Sequence, residues 1–108
     1  MKLLSRQEEI VLLSILKLGA DAYGVTIREY ISQVTGKYWS IGSIYVPIDR
    51  LLEKKYIEAF YRDTPHPNKK GGRRQRYYQL TPEGMSALQE LMELQKSFWE
   101  ALPQNSSK

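Results

Sequence analysis

Apolar residues recur every three or four positions in three separate stretches of the first half of the chain, which is the spacing of one buried helix face. The first stretch covers residues 10–18. Ser5 and Glu8 precede it at capping-box spacing, and Gly19 follows it as a helix stop. A first helix is therefore expected between the Ser5 cap and Gly19.

The second and third stretches predict two more helices by the same criterion. Apolar spacing indicates a helix over residues 24–35, which Gly36 ends. Either Ser40 or Ser43 can cap the third helix. Because Pro47 would break a long regular helix, we expect this helix to start near Ser43 or to kink at Pro47.

The next part of the chain has the alternation of β-strands. Residues 57–63 alternate apolar and polar side chains, and residues 74–80 include the β-favouring Tyr77 and Tyr78. Of these two tyrosines, one is expected in the core and the other at the surface. The segment between the strands contains two prolines and two glycines, which predicts a hairpin loop.

A last helix is expected to begin at Thr81 as N-cap, with Pro82 in the first turn, and to run to about Leu102. It carries two neighbouring apolar stripes. One consists of Met85, Leu88, Met92, Gln95, Trp99 and Leu102, and the other of Ala87, Leu91, Leu94, Phe98 and Ala101. A monomer of this size needs one such stripe to cover its core, so the second stripe predicts a homodimer through this helix.

The order helix, helix, helix, strand, loop, strand, helix predicts a mainly α protein with a small β-hairpin. Three helices followed by a hairpin form the winged helix-turn-helix arrangement, whose third helix enters the major groove of DNA. We therefore expect a winged helix-turn-helix DNA-binding domain over residues 1–80, and a C-terminal dimerisation helix with a short disordered tail over residues 81–108.

The distribution of charge supports this interpretation. The whole chain of 108 residues has a net charge of +4, whereas residues 50–76 contain nine lysines and arginines against three acids, or +6, which leaves −2 for the rest. Positive charge gathered in one segment is typical of a phosphate-binding surface.

Eleven residues are expected to face DNA. Free amides and small side chains at the start of the third helix permit close approach to a phosphate or base edge, and cations at a hairpin tip can follow phosphates. The residues are Ser40, Gly42, Ser43, Tyr45, Pro47, Arg50, Lys54, Lys69, Lys70, Arg73 and Arg74. The alternative is that the serines only cap the helix, that the cations form a solvated face, and that Tyr45 packs into the core.

Several classes of protein are not indicated. The chain has no cysteine, and His66 is its single histidine, so neither a metal site nor a cofactor is expected. We find no triad, phosphate loop or paired-carboxylate arrangement, and therefore expect no enzyme. No apolar run approaches the roughly 20 residues that span a bilayer. A cytoplasmic protein without a membrane partner is expected.

Two groups of residues together resemble a known family. The first is Gly42-Ser43-Ile44-Tyr45 with Pro47 and Leu51-Leu52-Glu53, and the second is Gly71-Gly72-Arg73-Arg74 running into Tyr77-Tyr78-Gln79-Leu80-Thr81-Pro82-Glu83-Gly84. In this order and spacing they resemble the PadR-like family of bacterial transcriptional regulators, in its small subfamily with one C-terminal helix. The resemblance covers roughly residues 8–100.

The resemblance implies a regulator of transcription, a repressor by expectation, that binds double-stranded DNA. If the regulator responds to an effector, the resemblance suggests a phenolic or lipophilic compound. The homodimer expected from the last helix would present two third helices about one turn apart, so the operator is expected to be an inverted repeat. Two positions depart from the family pattern. Tyr23, Gly24 and Val25 stand where the family has a histidine, a glycine and an aromatic residue, and Lys55 stands where the family turns on glycine after the third helix.

The seam of the expected dimer is also the expected effector site. Its residues are Met85, Leu88, Met92, Gln95, Phe98 and Trp99. Soft and aromatic side chains around a cavity suit a flat apolar molecule, although simple packing between protomers would use the same residues. For the whole chain, the alternatives are a winged helix that binds another protein and a non-specific nucleic-acid binder.

Overall fold

The computed structural model describes residues 4–64 and 73–101, and its elements follow the predicted order. They are α1 (Arg6–Leu18), a 3-10 turn (Gly19–Asp21), α2 (Gly24–Thr35), α3 (Ile41–Glu53), β1 (Ile57–Thr64), β2 (Arg73–Leu80) and α4 (Pro82–Glu100). The expectation of a mainly α fold with a small β-hairpin is confirmed. His66, Lys69, Lys70, Leu102 and the expected disordered tail lie outside the described residues.

The predicted start of α1 is confirmed in detail. The Ser5 hydroxyl accepts from the Glu8 N–H at 3.1 Å, and the Glu8 carboxylate accepts from the Ser5 N–H at 2.9 Å. This reciprocal pair satisfies two N–H groups that a helix start leaves open. It also holds the Glu8 side chain toward the interior, where it is buried.

The start of α3 differs from our expectation. The helix begins at Ile41 rather than near Ser43, and Ser40 is its N-cap, accepting from the Ser43 N–H at 3.1 Å. Pro47 lies inside the helix and its ring is fully buried. A proline here removes the helix bond to the Ser43 carbonyl. Because Ser43 is exposed, water can donate a hydrogen bond to its carbonyl. The buried proline ring adds apolar contacts to the core.

The turn after α3 has the left-handed backbone that the family pattern suggested. Lys55 has φ 65°, its N–H donates to the Leu52 carbonyl at 3.0 Å, and the Tyr56 N–H donates to Leu51 at 3.0 Å. These two bonds form a Schellman motif, which satisfies carbonyls at the helix end. A lysine in this conformation costs about 1 kcal/mol relative to glycine.

The expectation that one of the two adjacent tyrosines faces the surface is wrong. Tyr77 is 6% exposed and Tyr78 is 1% exposed. The segment before α2 pairs with β2, since Tyr23 forms a β-bridge with Tyr77 and the Tyr78 N–H donates to the Ala22 carbonyl at 2.9 Å. The Tyr23 ring then covers Tyr77 edge-on, with ring centroids 5.2 Å apart. Both faces of this part of the hairpin are therefore covered.

One apolar core joins the three helices to the base of the hairpin and the start of α4. Its buried members are Val11, Leu12, Ile15, Ala22, Ile27, Ile31, Ile44, Ile48, Leu51, Ile57, Tyr78 and Leu88. The core buries the inner faces of α1, α2 and α3. The opposite face of α3 is therefore directed away from the core, toward solvent.

The first turn of α4 is anchored to the loop after α3. The Thr81 N–H donates to the Tyr56 carbonyl at 3.0 Å, and the Thr81 hydroxyl donates to the Lys55 carbonyl at 2.7 Å. The same hydroxyl caps α4 by accepting from the Gly84 N–H at 3.0 Å. Gly84 lies so close to the Tyr56 carbonyl that a β-carbon would overlap it. In the part of the chain that the structure describes, no helix is long and apolar enough to cross a membrane.

Candidate nucleic-acid interface

The outward face of α3 presents five of the seven residues predicted on this helix. Ser40, Gly42, Ser43, Tyr45 and Arg50 are all exposed. The hydroxyls of Ser40 and Ser43 lie 2.8 Å apart and share a hydrogen bond. Both hydroxyls stand at the N-terminal turn, where free amides and the helix dipole favour a phosphate.

The other two predicted residues on α3 do not fit that face. Pro47 is buried in the core, so it is not available to DNA. Lys54 donates from Nζ to the Glu8 carboxylate at 2.7 Å, and only 21% of its side chain is exposed. The amphipathic pattern placed both residues on the polar side of the helix, whereas α1 covers the side where Lys54 lies.

The pKa of the Glu8 carboxyl reflects this internal ion pair. Burial raises the pKa, but the hydrogen bonds from Lys54 and from the Ser5 N–H, with the positive charges of Lys54 and Arg50, outweigh burial and bring the pKa below its usual value. Glu8 is therefore ionised in the folded protein.

Because of the Glu8–Lys54 pair, the free energy of unfolding should fall as the pH is lowered into the acid range. Because folding lowers the Glu8 pKa, the pair stabilises the protein above the unfolded-state pKa and this contribution is lost as the pH falls through the folded-state pKa. Lys54→Met should cost about 2 kcal/mol at neutral pH, since it leaves a buried carboxylate unpaired. Urea unfolding between pH 7 and pH 3 measures both effects.

The double variant Glu8→Gln with Lys54→Met is the control for that experiment, because it leaves no charge without its partner. It should be more stable at neutral pH than Lys54→Met alone. Equal stability of the two variants would mean that an unpaired Glu8 carboxylate costs nothing, which would contradict the reason given for the loss in Lys54→Met.

Tyr45 combines a packing role with exposure. A β-carbon on Gly24 would stand 2.5 Å from the Tyr45 hydroxyl oxygen, so the tyrosine lies directly against the first residue of α2. The residue as a whole remains 37% exposed. The two interpretations of Tyr45 are thus compatible, because one part of the ring packs while the rest faces outward.

The hairpin separates its cations between two faces. Arg74 is exposed, with its guanidinium 5.1 Å from the centroid of the Tyr61 ring. On the other face, Arg62 donates to the Ala20 carbonyl and lies over the Tyr77 ring at 3.8 Å. Arg62 therefore holds the hairpin against the turn after α1. It is nevertheless one of the nine lysines and arginines counted in residues 50–76. Arg73 is the first residue of β2, and its side chain is outside the described part of the structure.

Two exposed residues of α3 were missed by sequence reasoning. Val46, although apolar, is 52% exposed, and Asp49 is exposed one turn further along. An exposed apolar side chain on such a helix can contact a thymine methyl group, and a carboxylate can accept from cytosine N4. Helical spacing relative to Ile44 and Ile48 would have identified both residues as outward-facing.

A second surface lies where α4 passes α1. A groove of about 360 Å³ is lined by Glu9, Leu13, Leu16, Met85, Leu88, Gln89, Leu91, Met92 and Gln95. Of the predicted seam residues, Leu88 belongs to the core of its own protomer, and Gln95 donates to the Glu9 carboxylate at 3.0 Å. Met85, Met92, Phe98 and Trp99 are exposed. Within residues 4–64 and 73–101, no cluster of acidic side chains is arranged to hold a metal.

Comparison with known proteins gives one family. The model of the transcriptional regulator PadR-like family matches residues 12–90. A Lysinibacillus sphaericus protein that bears the name uncharacterized protein X is 36% identical over 77 residues, which is 69% of this chain and 66%, slightly less than two thirds, of that relative.

Solved structures share the fold. A PadR-like transcriptional regulator from Bacillus cereus is 22% identical with a TM-score of 0.69, over 86% of this chain and 84% of that one. A transcriptional regulator from Clostridium thermocellum is 23% identical with a TM-score of 0.67, over 87% of this chain and 84% of that one.

Proposed function

This chain belongs to the PadR-like family of transcriptional regulators, and from that premise we propose that it is a repressor which binds an inverted-repeat operator as a homodimer and is released by a small apolar or aromatic effector. The family consists of DNA-binding transcription factors rather than enzymes. The protein is therefore a DNA-binding regulator. The dimer, the operator, the direction of control and the effector are the proposed part.

The observation that carries the proposal is the uncovered apolar surface of α4. In the described residues after Leu88, no side chain of α4 is fully buried, yet Phe98 is 67% exposed and Trp99 is 71% exposed. On α1, Leu13 and Leu16 are exposed as well and border the same groove. Large apolar side chains grouped in this way mark a protein interface. A second copy of the chain supplies the matching stripe by symmetry.

A dimer of this kind explains how the protein would read a DNA sequence. A two-fold axis through the paired α4 helices presents two copies of α3, which would meet successive major grooves roughly 10 base pairs apart. The two half-sites must then be related by the same two-fold axis. The operator is therefore an inverted repeat, and a dimer bound across a promoter would occlude it.

The proposed DNA contacts are those predicted residues that the structure leaves on the outer surface, together with the hairpin tip. On α3 they are Ser40, Gly42, Ser43, Tyr45 and Arg50, and on the hairpin they are Lys69, Lys70, Arg73 and Arg74. The serine amides and the cations would hold the phosphate backbone, which positions α3 without reading sequence. Base reading would come from the exposed side chains near the start of α3. The boundary between the DNA-binding domain (residues 1–80) and the C-terminal dimerisation region (residues 81–108) stays a prediction.

The groove between α1 and α4 is the proposed effector site. Its apolar side chains come from both helices, and Met85 and Met92 can adapt to ligands of different shape. An effector that fits the groove better in one arrangement of the dimer shifts the protein toward that arrangement. Since α4 sets the separation of the two α3 helices, that shift would reduce operator affinity.

Selection from random-sequence duplexes tests the proposal. The protein should enrich an inverted repeat, and bind it about 1,000-fold more tightly than random duplex. Arg74→Ala should reduce the slope of log affinity against log salt by about 2, because each lost phosphate contact contributes roughly 0.9 and a dimer loses two. Transcription from a promoter that overlaps the selected site should fall when the protein is added.

Lys96→Ala is the matched control, because it removes one exposed positive charge from α4. The salt slope of this variant should equal that of the unchanged protein. Equal affinity for all duplexes would indicate a non-specific binder, and no affinity for any duplex would indicate a winged helix that binds protein. Either result contradicts the proposal.

A further inference from the structure

The turn between α2 and α3, residues 36–39, carries an aromatic side chain that the proposed function has not used. Tyr38 is 80% exposed. The next residue, Trp39, packs against the core, and its N–H donates to the Ser32 hydroxyl of α2 at 3.3 Å. The turn is therefore held against α2, with Trp39 on its inner side and Tyr38 on its outer side.

An arginine of α2 lies against this tyrosine. The guanidinium of Arg28 is 5.8 Å from the centroid of the Tyr38 ring, which is within the distance of a cation–π contact. Arg28 and Ser32 are four residues apart, so they share the face of α2 along which the turn folds back. No carboxylate within residues 4–64 and 73–101 is at ion-pairing distance from Arg28. The Tyr38 ring therefore orients a positive charge that these residues leave unpaired.

Comparison with Arg62 shows what the Arg28 guanidinium lacks. Arg62 also lies over an aromatic ring, that of Tyr77, and donates to the Ala20 carbonyl, so its acceptor belongs to the chain. Arg28 has similar aromatic support but donates no hydrogen bond to the described residues. None of its nitrogens is shielded from solvent without a partner, since the atoms in that situation belong to other residues. The Arg28 guanidinium therefore faces solvent, where an acceptor from outside the chain can reach it.

The Arg28–Tyr38 pair lies at the end of α3 that is proposed to enter DNA. Tyr38 precedes the N-cap Ser40 by two residues, and two residues span at most about 7 Å. The hydroxyls of Ser40 and Ser43, 2.8 Å apart, stand at the same end. Lys37, which is exposed, adds a second positive charge beside Tyr38. Cations and hydroxyl groups are therefore gathered around the start of α3.

The ligand that suits these groups is the backbone of DNA. In a helix-turn-helix, the recognition helix enters the major groove while the helix before it crosses the backbone. The turn that joins the two helices therefore lies beside the phosphates that border the groove. A phosphate offers oxygen acceptors that match the planar fork of a guanidinium, and it accepts from a tyrosine hydroxyl as well. The groups around the start of α3 thus match a phosphate in both charge and hydrogen bonding.

The geometry points to Arg28 and Tyr38 as a pair that binds one backbone phosphate at the border of the major groove, with the Tyr38 ring positioning the guanidinium. This assignment rests on the proposed insertion of α3 into that groove. It extends the DNA-binding surface to α2 and the turn after it. The chain outside residues 50–76 has a net charge of −2, so counting charge along the sequence did not identify this cation. The contact positions the protein on the duplex without reading sequence.

A scan of single phosphates tests the assignment. Duplexes of the selected operator are prepared with one neutral methylphosphonate at each backbone position in turn, and binding of the unchanged protein is compared with binding of Arg28→Met. At one position in each half-site, neutralisation should weaken the unchanged protein about tenfold. The same neutralisation should leave the affinity of Arg28→Met unaltered, because the contact is already lost. If Arg28→Met does not fold, Arg28→Lys takes its place and should show a reduced response at that position.

Two variants of Tyr38 test the positioning role of its ring. Tyr38→Ala should respond less than the unchanged protein to neutralisation of the phosphate that Arg28 binds, whereas Tyr38→Phe, which keeps the ring, should retain most of the response. The affinity loss of the double variant Arg28→Met with Tyr38→Ala should be smaller than the product of the two single losses, because the ring acts through the guanidinium. Lys96→Met removes a positive charge from α4 and should respond to every methylphosphonate as the unchanged protein does.

Three results would overturn the assignment. Identical methylphosphonate profiles for the unchanged protein and the Arg28 variant would mean that Arg28 touches no phosphate. A double variant whose loss equals the product of the single losses would mean that the Tyr38 ring does not position the guanidinium. A change in the sequence selected by Arg28→Met would assign Arg28 to a base edge instead. Failure of the unchanged protein to bind any duplex would contradict the proposed function itself, and is thereby distinguished from these three results.

Discussion

Replacing Phe98 and Trp99 with lysine should convert the protein from a dimer to a monomer and weaken operator binding about 1,000-fold. Both side chains are mostly exposed on one protomer, at 67% and 71%, and belong to the two neighbouring stripes of α4. In a two-fold dimer, the new lysines of one copy face those of the other. A monomer can occupy one half-site at a time, so it loses the gain in affinity that comes from binding two linked half-sites.

Lysine is chosen because it separates the loss of the dimer from a change in charge. Added positive charge alone would strengthen binding to DNA, so weaker binding by a variant that keeps its helical circular dichroism spectrum comes from the lost partner. Sedimentation at micromolar concentrations measures the association, and titration with the selected operator measures the affinity.

Val34→Lys is the control, since Val34 is 65% exposed on α2 and lies outside the proposed interface. This variant should remain a dimer. If the Phe98 and Trp99 variant also remains a dimer, the protomers associate through another surface. A monomer in the unchanged protein across the whole concentration series would remove the homodimer from the proposal.

Gly84→Ala should destabilise the protein by roughly 3 kcal/mol, the upper part of the range for overpacking. A β-carbon at Gly84 would overlap the Tyr56 carbonyl oxygen, and the contact is with backbone, which cannot rotate away. Either α4 must move or the turn after α3 must open. Both responses disturb the bonds that Thr81 donates to Tyr56 and Lys55. Thermal and urea unfolding at equal protein concentration measure the loss.

Gly42→Ala is the matched control, because Gly42 also occupies the first turn of a helix. A β-carbon there would have no neighbour closer than the Ser40 hydroxyl oxygen at 4.0 Å. Alanine is the better helix former, so this variant should unfold at the same or a higher urea concentration. Equal stability of the two variants would show that α4 is not held closely against Tyr56.

In the proposed dimer, α4 determines the separation of the two α3 helices. An effector in the groove between α1 and α4 would change this separation. Effector binding should therefore reduce operator affinity more strongly than it reduces affinity for a single half-site.

Local features of the fold could be predicted from the sequence because each depends on neighbouring residues. The capping box of Ser5 and Glu8 lies within one helical turn, and the end of α2 depends on Gly36 directly after it. Such features need only helical spacing and the conformational preferences of single residues. The left-handed turn at Lys55 was suggested only by the resemblance to a family that has glycine there, because the conformational preference of lysine itself is against it.

The environment of the charged and aromatic residues could not be predicted in this way. Glu8 and Lys54 are 46 positions apart and form their ion pair because α1 and α3 cross. Sequence reasoning therefore assigned Lys54 to the DNA face. Tyr77 is buried because a separate segment at Tyr23 pairs with β2, and nothing in the alternation of β2 itself indicates this partner.

Short-range periodicity and counting are enough to predict the order of elements, the helix caps and the concentration of positive charge between residues 50 and 76. They do not predict which side chains on those elements remain available. Packing of the whole fold buried Pro47, paired Lys54 with Glu8 and left Trp99 uncovered. Availability depends on which distant surfaces meet, and that is a property of packing rather than of neighbouring residues.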